Sequence, residues 1–495
     1  MRKTPLRALF IAAIAIGFFW NFSNPTDAQT AAALFTIVDK PQKKGETEKY
    51  SVASINESEI NINLKKQSEV NKERLSFPLF DGKTYEAKRE SVEIRKPDDF
   101  TWRGKITFNE MDGDVILTFK EGFVSGLIYA GNSVYEIASK GDGAILVELN
   151  QNLFPECAGG FQGEKQQTSV QKTPSAGADS GDRIDVLVLY TAEVKNSLGG
   201  DAQTRVFAQQ AIDATNTAYI NSKIRQRVNL VHAQETAIIE TGNLATELSA
   251  LRTNADAAVL RNNYNADLVA LLSNTANNCG QGYLIGSANG NAGNGFTVTS
   301  RGCAVGNLSF AHELGHNMGS QHNPENGTNS AFSYGYGHYV NGVFRTVMSY
   351  VDPCAQGCTR RPYFSNPAVS FGGYPTGLDD ERDNVRLINS TADVIANYRF
   401  SGKSLTLNNF SDGETIPRRI SRQLKWSSEN VTGNVKIELS RDGGTTWERL
   451  IENTANDGSE TISISGRPTR YARLRIISLE NPLISDSSVK NISIR

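Results

Sequence analysis

Apolar and polar positions follow three different patterns along this chain. Residues 115–119, 124–129 and 133–137 alternate apolar and polar side chains over short stretches, punctuated by Gly122 and Gly131. Such stretches predict strands joined by turns. From residue 184 the pattern changes. Residues 184–190 form a nearly continuous apolar run, with shorter runs at 228–231 and 267–272. Between the first two, Val206, Ala211, Ala214 and Ala218 recur at helical spacing within 202–222. Continuous runs suit strands buried on both faces, and their alternation with helices predicts a mostly parallel sheet crossed by helices. Beyond residue 401, strand-like runs return at 423–426, 435–439 and 471–476. The turn sequences Asp442-Gly443-Gly444 and Asn456-Asp457-Gly458 lie among them.

Breaks in these patterns predict the organisation. Arg2, Lys3 and Arg7 precede an apolar stretch at 9–19, and Thr26-Asp27-Ala28 gives a small-residue exit. Residues 1–28 therefore read as a signal peptide, the apolar run being shorter than the roughly 20 residues a spanning helix needs. A retained anchor is the lesser reading. A polar tract at 163–181, rich in Gln, Lys, Ser, Thr and Gly, reads as an exposed, protease-sensitive linker. The expected division is a β-rich unit with linker at 29–182, an α/β (α+β) unit at 183–400 and an all-β unit at 401–495. The last pattern suggests an Ig-like or fibronectin-like sandwich. The 495 residues suffice for three domains. With 51 basic and 53 acidic residues, the net charge of −2 calls for neither nucleic acid nor an anionic membrane as partner. The expected product is a secreted, extracellular monomer.

The chemistry concentrates at residues 312–322, which read His-Glu-Leu-Gly-His-Asn-Met-Gly-Ser-Gln-His. On a helix, His312 and His316 stand on one face, one turn apart. Glu313 lies about 100° round from His312, beside their meeting point. Gly319 tolerates the left-handed backbone needed to leave the helix sharply, which lets His322 return to the same point. Three imidazoles suit zinc and leave its fourth position open. Zinc lowers the pKa of a water there from about 16 to about 7, and Glu313 can take its proton. Three of the five histidines of the chain fall in this stretch. Satisfied surface histidines on an ordinary helix are the bland alternative.

This stretch resembles the metzincin metallopeptidases, with the peptidase region most similar to reprolysin/adamalysin-like bacterial secreted proteases and, nearby, peptidyl-Asp metalloendopeptidases. The resemblance implies a metzincin domain with a mixed sheet, an active-site helix and one catalytic zinc. It implies hydrolysis of protein or peptide substrates. It makes Met348, in Thr346-Val347-Met348-Ser349-Tyr350, the Met-turn floor beneath the ligands. It makes Tyr350 a candidate to coordinate zinc or bind the oxyanion, with a packed aromatic as the alternative. Asn323 departs from the Asp usual in the adamalysin branch. An edge strand near 282–286 is expected to pair with extended substrate. Asn307 or Ser309 is the expected cap of the helix at 309–318.

The first unit is similar in position to the propeptides of reprolysin-like zymogens. Five cysteines leave one over: Cys279, Cys303, Cys354 and Cys358 could pair locally, other pairings being open, and Cys157 remains just upstream of the linker. A thiolate is a good zinc ligand. Cys157 could thus fill the fourth position in a latent form, as the cysteine switch of related zymogens does. The motif Cys-Ala-Gly-Gly matches theirs only partly, and a structural or intermolecularly paired cysteine is the alternative. Asp379, Asp380, Glu381 and Asp383 could hold calcium, or could complement the helix that follows. Arg360 or Arg361 at a pocket base would be a cue for acidic substrates. His232 and His338 are expected to be structural. The rival reading is a surface adhesin with a non-catalytic zinc site.

Overall fold

A computed structural model describes residues 31–41, 50–108, 111–160, 179, 181–327, 331–444, 446–482 and 484–495. The expected signal peptide and nearly all of the expected linker lie outside the described residues. Among the described residues, no helix is long and apolar enough to cross a membrane.

The first region is a ten-stranded sheet, most of it an antiparallel meander running from Thr84–Lys96 to Gly143–Leu149. The three expected strands fall within Met111–Lys120, Phe123–Ala130 and Ser133–Lys140. Their alternation does more than separate core from solvent. Val115, Leu117 and Phe119 enter one core, whereas the intervening Ile116 enters another. Val124 and Ile128 join the first, and Leu127 and Tyr129 the second. The sheet is therefore buried on both faces here, because successive side chains point to opposite sides.

The second core belongs jointly to this sheet and to the next region. There the strand order is Arg227–Glu235, Arg183–Tyr190, Leu268–Ser273, Phe296–Ser300, Gly280–Gly282. The first four strands run parallel, and Gly280–Gly282 pairs antiparallel at the edge. The long helix Asp201–Ser222 lies between the two sheets. Val206, Phe207, Ala208, Ala211, Ile212, Ala214, Ala218 and Tyr219 are all buried. A helix buried nearly all round needs apolar partners on both sides, and here it has them.

The helix Ser309–Asn317, which carries His312, Glu313 and His316, packs against Phe296–Ser300 and the edge strand. Its N-cap is Leu308 in the left-handed region, without a side-chain cap, so neither Asn307 nor Ser309 serves as expected. Asn307 instead donates to Ser309 Oγ and approaches Cys279 Sγ. Helix Asn384–Ile395 closes the region. Asp383 caps it by accepting from the Arg386 N–H, and Asp380 pairs with Arg386, which is the helix-charge role. Calcium gains no support from this arrangement.

The third region holds a three-stranded and a six-stranded sheet around their own apolar core. Arg422–Glu429, Val435–Ser440 and Thr469–Ser478 contain the expected runs. Trp426 is buried in that core, and Trp447 is half-buried beneath the Arg475 guanidinium.

Candidate metal centre and active site

The helix Ser309–Asn317 carries His312 and His316 one turn apart, and the chain then reverses at Gly319, whose φ is +97°. That left-handed turn returns His322 to the pair. The Nε2 atoms of His316 and His322 stand 3.1 Å apart, and those of His322 and His312 3.2 Å apart. Cys157 Sγ lies 3.6 Å from His316 Nε2 and 3.5 Å from His322 Nε2. A tetrahedral zinc with nitrogens at 2.0–2.1 Å and a thiolate at about 2.3 Å puts its nitrogens about 3.3 Å apart and sulfur about 3.5 Å from each. These four distances match that ion, and all four donor atoms lie within 4.8 Å of one another. Among the described residues they are the one cluster of three or more such groups.

The other ring nitrogens are engaged. His312 Nδ1 sits 2.9 Å from the Val347 carbonyl, and His316 Nδ1 sits 2.8 Å from that of Ser320. Each carbonyl accepts the Nδ1 proton and leaves Nε2 with its lone pair toward the cluster. Burial holds all three histidines below their usual pKa, His316 at about 4, so they are neutral donors. Burial, then the Glu313 charge, pushes the Cys157 thiol up; a bound cation reverses that effect.

Glu313 is fully buried, and burial lifts its carboxyl well above the usual range. Its Oε1 finds no hydrogen-bond partner among the described residues, and Oε2 lies 4.0 Å from Cys157 Sγ. Gly280 and Gly282 make room for it. A Cβ on Gly280 would stand 2.4 Å from Glu313 Oε1, and one on Gly282 would stand 2.9 Å from the Glu313 carbonyl. Met348 is buried beneath the helix, and a Cβ on Gly315 would meet its sulfur at 2.5 Å. Tyr350 packs its ring 4.1 Å from that of His322, and its hydroxyl donates to the Cys157 carbonyl at 2.7 Å.

The edge strand falls at Gly280–Gly282, slightly before the expected 282–286. The segment around Cys157 pairs with it. The Ala158 N–H donates to the Gly280 carbonyl at 3.0 Å, and the Cys279 N–H donates to the Glu156 carbonyl at 3.3 Å. The disulfides are Cys279–Cys303 and Cys354–Cys358, and Cys157 is free. His232 stacks on Tyr264 and lies outside the cluster, whereas His338 is buried next to Phe344.

Two participants escape a reading of the motif. Asn323 Oδ1 accepts the Tyr350 N–H at 3.0 Å and so joins the segment of the third histidine to the Met348 turn. Glu156 accepts the Val351 N–H at 2.7 Å and faces Arg360. The departure from Asp at position 323 was the only signal for the first; the second has none in local sequence.

A model of metallo-peptidase family M12, Reprolysin_5, matches residues 180–365. A peptidyl-Asp metalloendopeptidase of Xanthomonas campestris is 30% identical over 350 residues, covering 66% of this chain and 82% of the relative. One from Stenotrophomonas maltophilia is 30% identical over 354 residues, covering 66% and 83%. One from Pseudomonas aeruginosa is 32% identical over 300 residues, covering 53% of this chain and 48% of the relative. A buried three-histidine cluster beside a buried glutamate thus sits within the residues that the family model matches, and the chain belongs to metallo-peptidase family M12 as a metzincin-like bacterial zinc metalloprotease.

Proposed function

We propose that this chain is the latent precursor of a secreted zinc endopeptidase, with residues 29–182 as inhibitory propeptide and linker, 183–400 as the catalytic domain and 401–495 as an appended Ig-like or fibronectin-like sandwich. The observation that carries this reading is the convergence of three imidazole nitrogens and one free thiol at zinc-like spacing, with a buried carboxylate alongside. His312, His316 and His322 would hold the metal, and Cys157 would complete its coordination in the latent form only.

When bound, zinc supplies Lewis acidity toward the scissile carbonyl and lowers the pKa of a coordinated water to about 7. Glu313 takes a proton from the attacking water and returns it to the leaving amine. Its carboxyl is buried beside the ligand cluster, 4.0 Å from Cys157 Sγ, which suits it to both transfers. Tyr350 is placed to donate a hydrogen bond to the oxyanion once the Cys157 carbonyl no longer takes that proton. The edge strand Gly280–Gly282 would pair with extended substrate where residues 156–158 now lie. The relatives are named for action at aspartyl bonds, and a preference for acidic side chains is the expected specificity.

Glu313→Gln in the cleaved enzyme should bind one zinc and lose about 10²–10⁴-fold in kcat, the usual scale of general acid–base catalysis. Zinc content and peptide turnover, measured together, check this. Near-native turnover by that variant would remove Glu313 from the mechanism.

A further inference from the structure

Arg360 and Arg361 are neighbours in sequence, yet they serve opposite sides of the molecule. Both are almost wholly buried. Arg361 turns away from the metal cluster: it donates to the Gly131 carbonyl and lies over the Tyr129 and Phe371 rings. Arg360 turns toward it. Its Nη1 donates to the Asn307 carbonyl at 2.9 Å and its Nη2 to the Ser349 carbonyl at 3.0 Å. These neutral acceptors orient the guanidinium without cancelling its charge. Its one carboxylate ion pair among the described residues is with Glu156, Oε2 lying 3.7 Å from Nη2. The other Glu156 oxygen takes the Val351 N–H at 2.7 Å. Arg345, also buried, donates to the same Ser349 carbonyl and to Asn307 Oδ1, adding a second positive charge behind the first.

Glu156 directly precedes Cys157, the residue at the metal cluster, and its carbonyl bonds the edge strand. A carboxylate on the residue next to the reacting position thus sits in a recess floored by a buried arginine and closed by a backbone N–H. We infer that this recess is the enzyme's acidic side-chain subsite, that Arg360 is its specificity-determining residue, and that Glu156 is a built-in occupant that blocks it in the latent chain. The inference rests on the latency reading above and adds a second contact to it. Once residues 156–158 leave, Arg360 faces the cleft with a desolvated charge and no carboxylate partner. An acidic substrate side chain restores that partner; an amide isostere does not.

The test uses the full zinc-loaded chain, intact and after limited proteolysis in 161–181, with peptides that differ only in Asp against Asn or Glu against Gln. Intact Glu156→Gln should hydrolyse the acidic peptides at least tenfold faster than the intact wild type, while its thermal unfolding stays close to wild type because Glu156 is partly exposed. The cleaved wild type should favour acidic peptides by roughly 30-fold or more in kcat/KM, and Arg360→Lys should cut that preference at least tenfold. Intact Glu156→Gln as silent as wild type, together with a cleaved wild type indifferent to Asp against Asn, overturns the inference. An Arg360→Lys chain that fails to fold leaves those two results decisive. Cys157→Ser reports separately: unchanged latency there removes the thiol from the latency reading, and hydrolysis by no form of the chain removes the endopeptidase reading on which the subsite depends.

Discussion

Glu313 owes its position to residues that have no side chain. The edge strand comes so close to the helix carrying Glu313 that a Cβ at Gly280 would meet the carboxylate and one at Gly282 the Glu313 backbone carbonyl. Gly280→Ala would push a methyl group into Glu313 Oε1, with Cys279–Cys303 holding the neighbouring residue in place. The expected outcome is full zinc content with kcat reduced about 100-fold, since a displacement of about 1 Å at a catalytic group can cost that much. Zinc analysis beside steady-state kinetics checks it, and wild-type kcat would show that the strand yields instead. At this scale the sequence was highly legible for the histidines and Glu313, because helical spacing dictates their geometry. Cys157 was legible by cysteine arithmetic. Glu156 was not, because its contacts with Val351 and Arg360 join residues far apart in the chain, and no local pattern encodes such a pair.

Elements were legible where side-chain period and burial agreed. The parallel strands from Arg183 to Ser273 and the helix Asp201–Ser222 fall where their apolar runs and spacing put them. The edge strand lies ahead of the expected residues 282–286, because Gly280-Gln281-Gly282 has no β-branched or aromatic side chain to mark it. Its pairing with Phe296–Ser300 makes it a strand, not its propensity. Alternation predicts the strands of the first region but not their double burial, since it does not say whether the second face meets solvent or a partner.

That partner interface contains Glu136, on Ser133–Lys140. Its Oε1 accepts from the Tyr50 hydroxyl at 2.7 Å, and Arg301 lies over the Tyr50 ring at 4.4 Å. Burial raises Glu136 from its ordinary 4.5 to about 7, the Tyr50 hydrogen bond and Arg301 opposing only in part. The folded pKa is above the unfolded one, so the fold favours the neutral acid. This contribution is fully present below about 4.5 and is lost as pH rises through about 7, on the order of 3 kcal/mol in all. Thermal unfolding of the intact chain should therefore show a stability loss between pH 5 and pH 8 that Glu136→Gln lacks. A variant with the same pH dependence as wild type would place the titration elsewhere.

Across the whole molecule, the first region and the region built on the parallel sheet share one apolar core. Ile116, Leu127, Tyr129, Val134, Val147 and Leu149 pack with Phe207, Ala211 and Ile212 of the long helix. Asp213 on that helix is buried under the first sheet, where it accepts from the Thr101 and Thr118 hydroxyls and pairs with Arg95. Cutting a linker between 161 and 181 breaks none of these contacts. The two pieces should co-elute on size exclusion after cleavage and separate only under conditions that also destabilise the core. Leu127→Ala, which opens this shared core, should weaken their association by about 2–5 kcal/mol. Prompt separation of the wild-type pieces on cleavage alone would contradict this. On the proposed latency reading, cleavage frees residues 156–158 to leave the cleft while the shared core still holds the two pieces together.

The most direct measurement of the central claim is zinc-edge X-ray absorption on the intact, zinc-loaded chain. Latency through Cys157 predicts one sulfur at about 2.3 Å with three nitrogens at 2.0–2.1 Å, the sulfur disappearing in Cys157→Ser. A wild-type spectrum with nitrogen and oxygen scatterers only would contradict it.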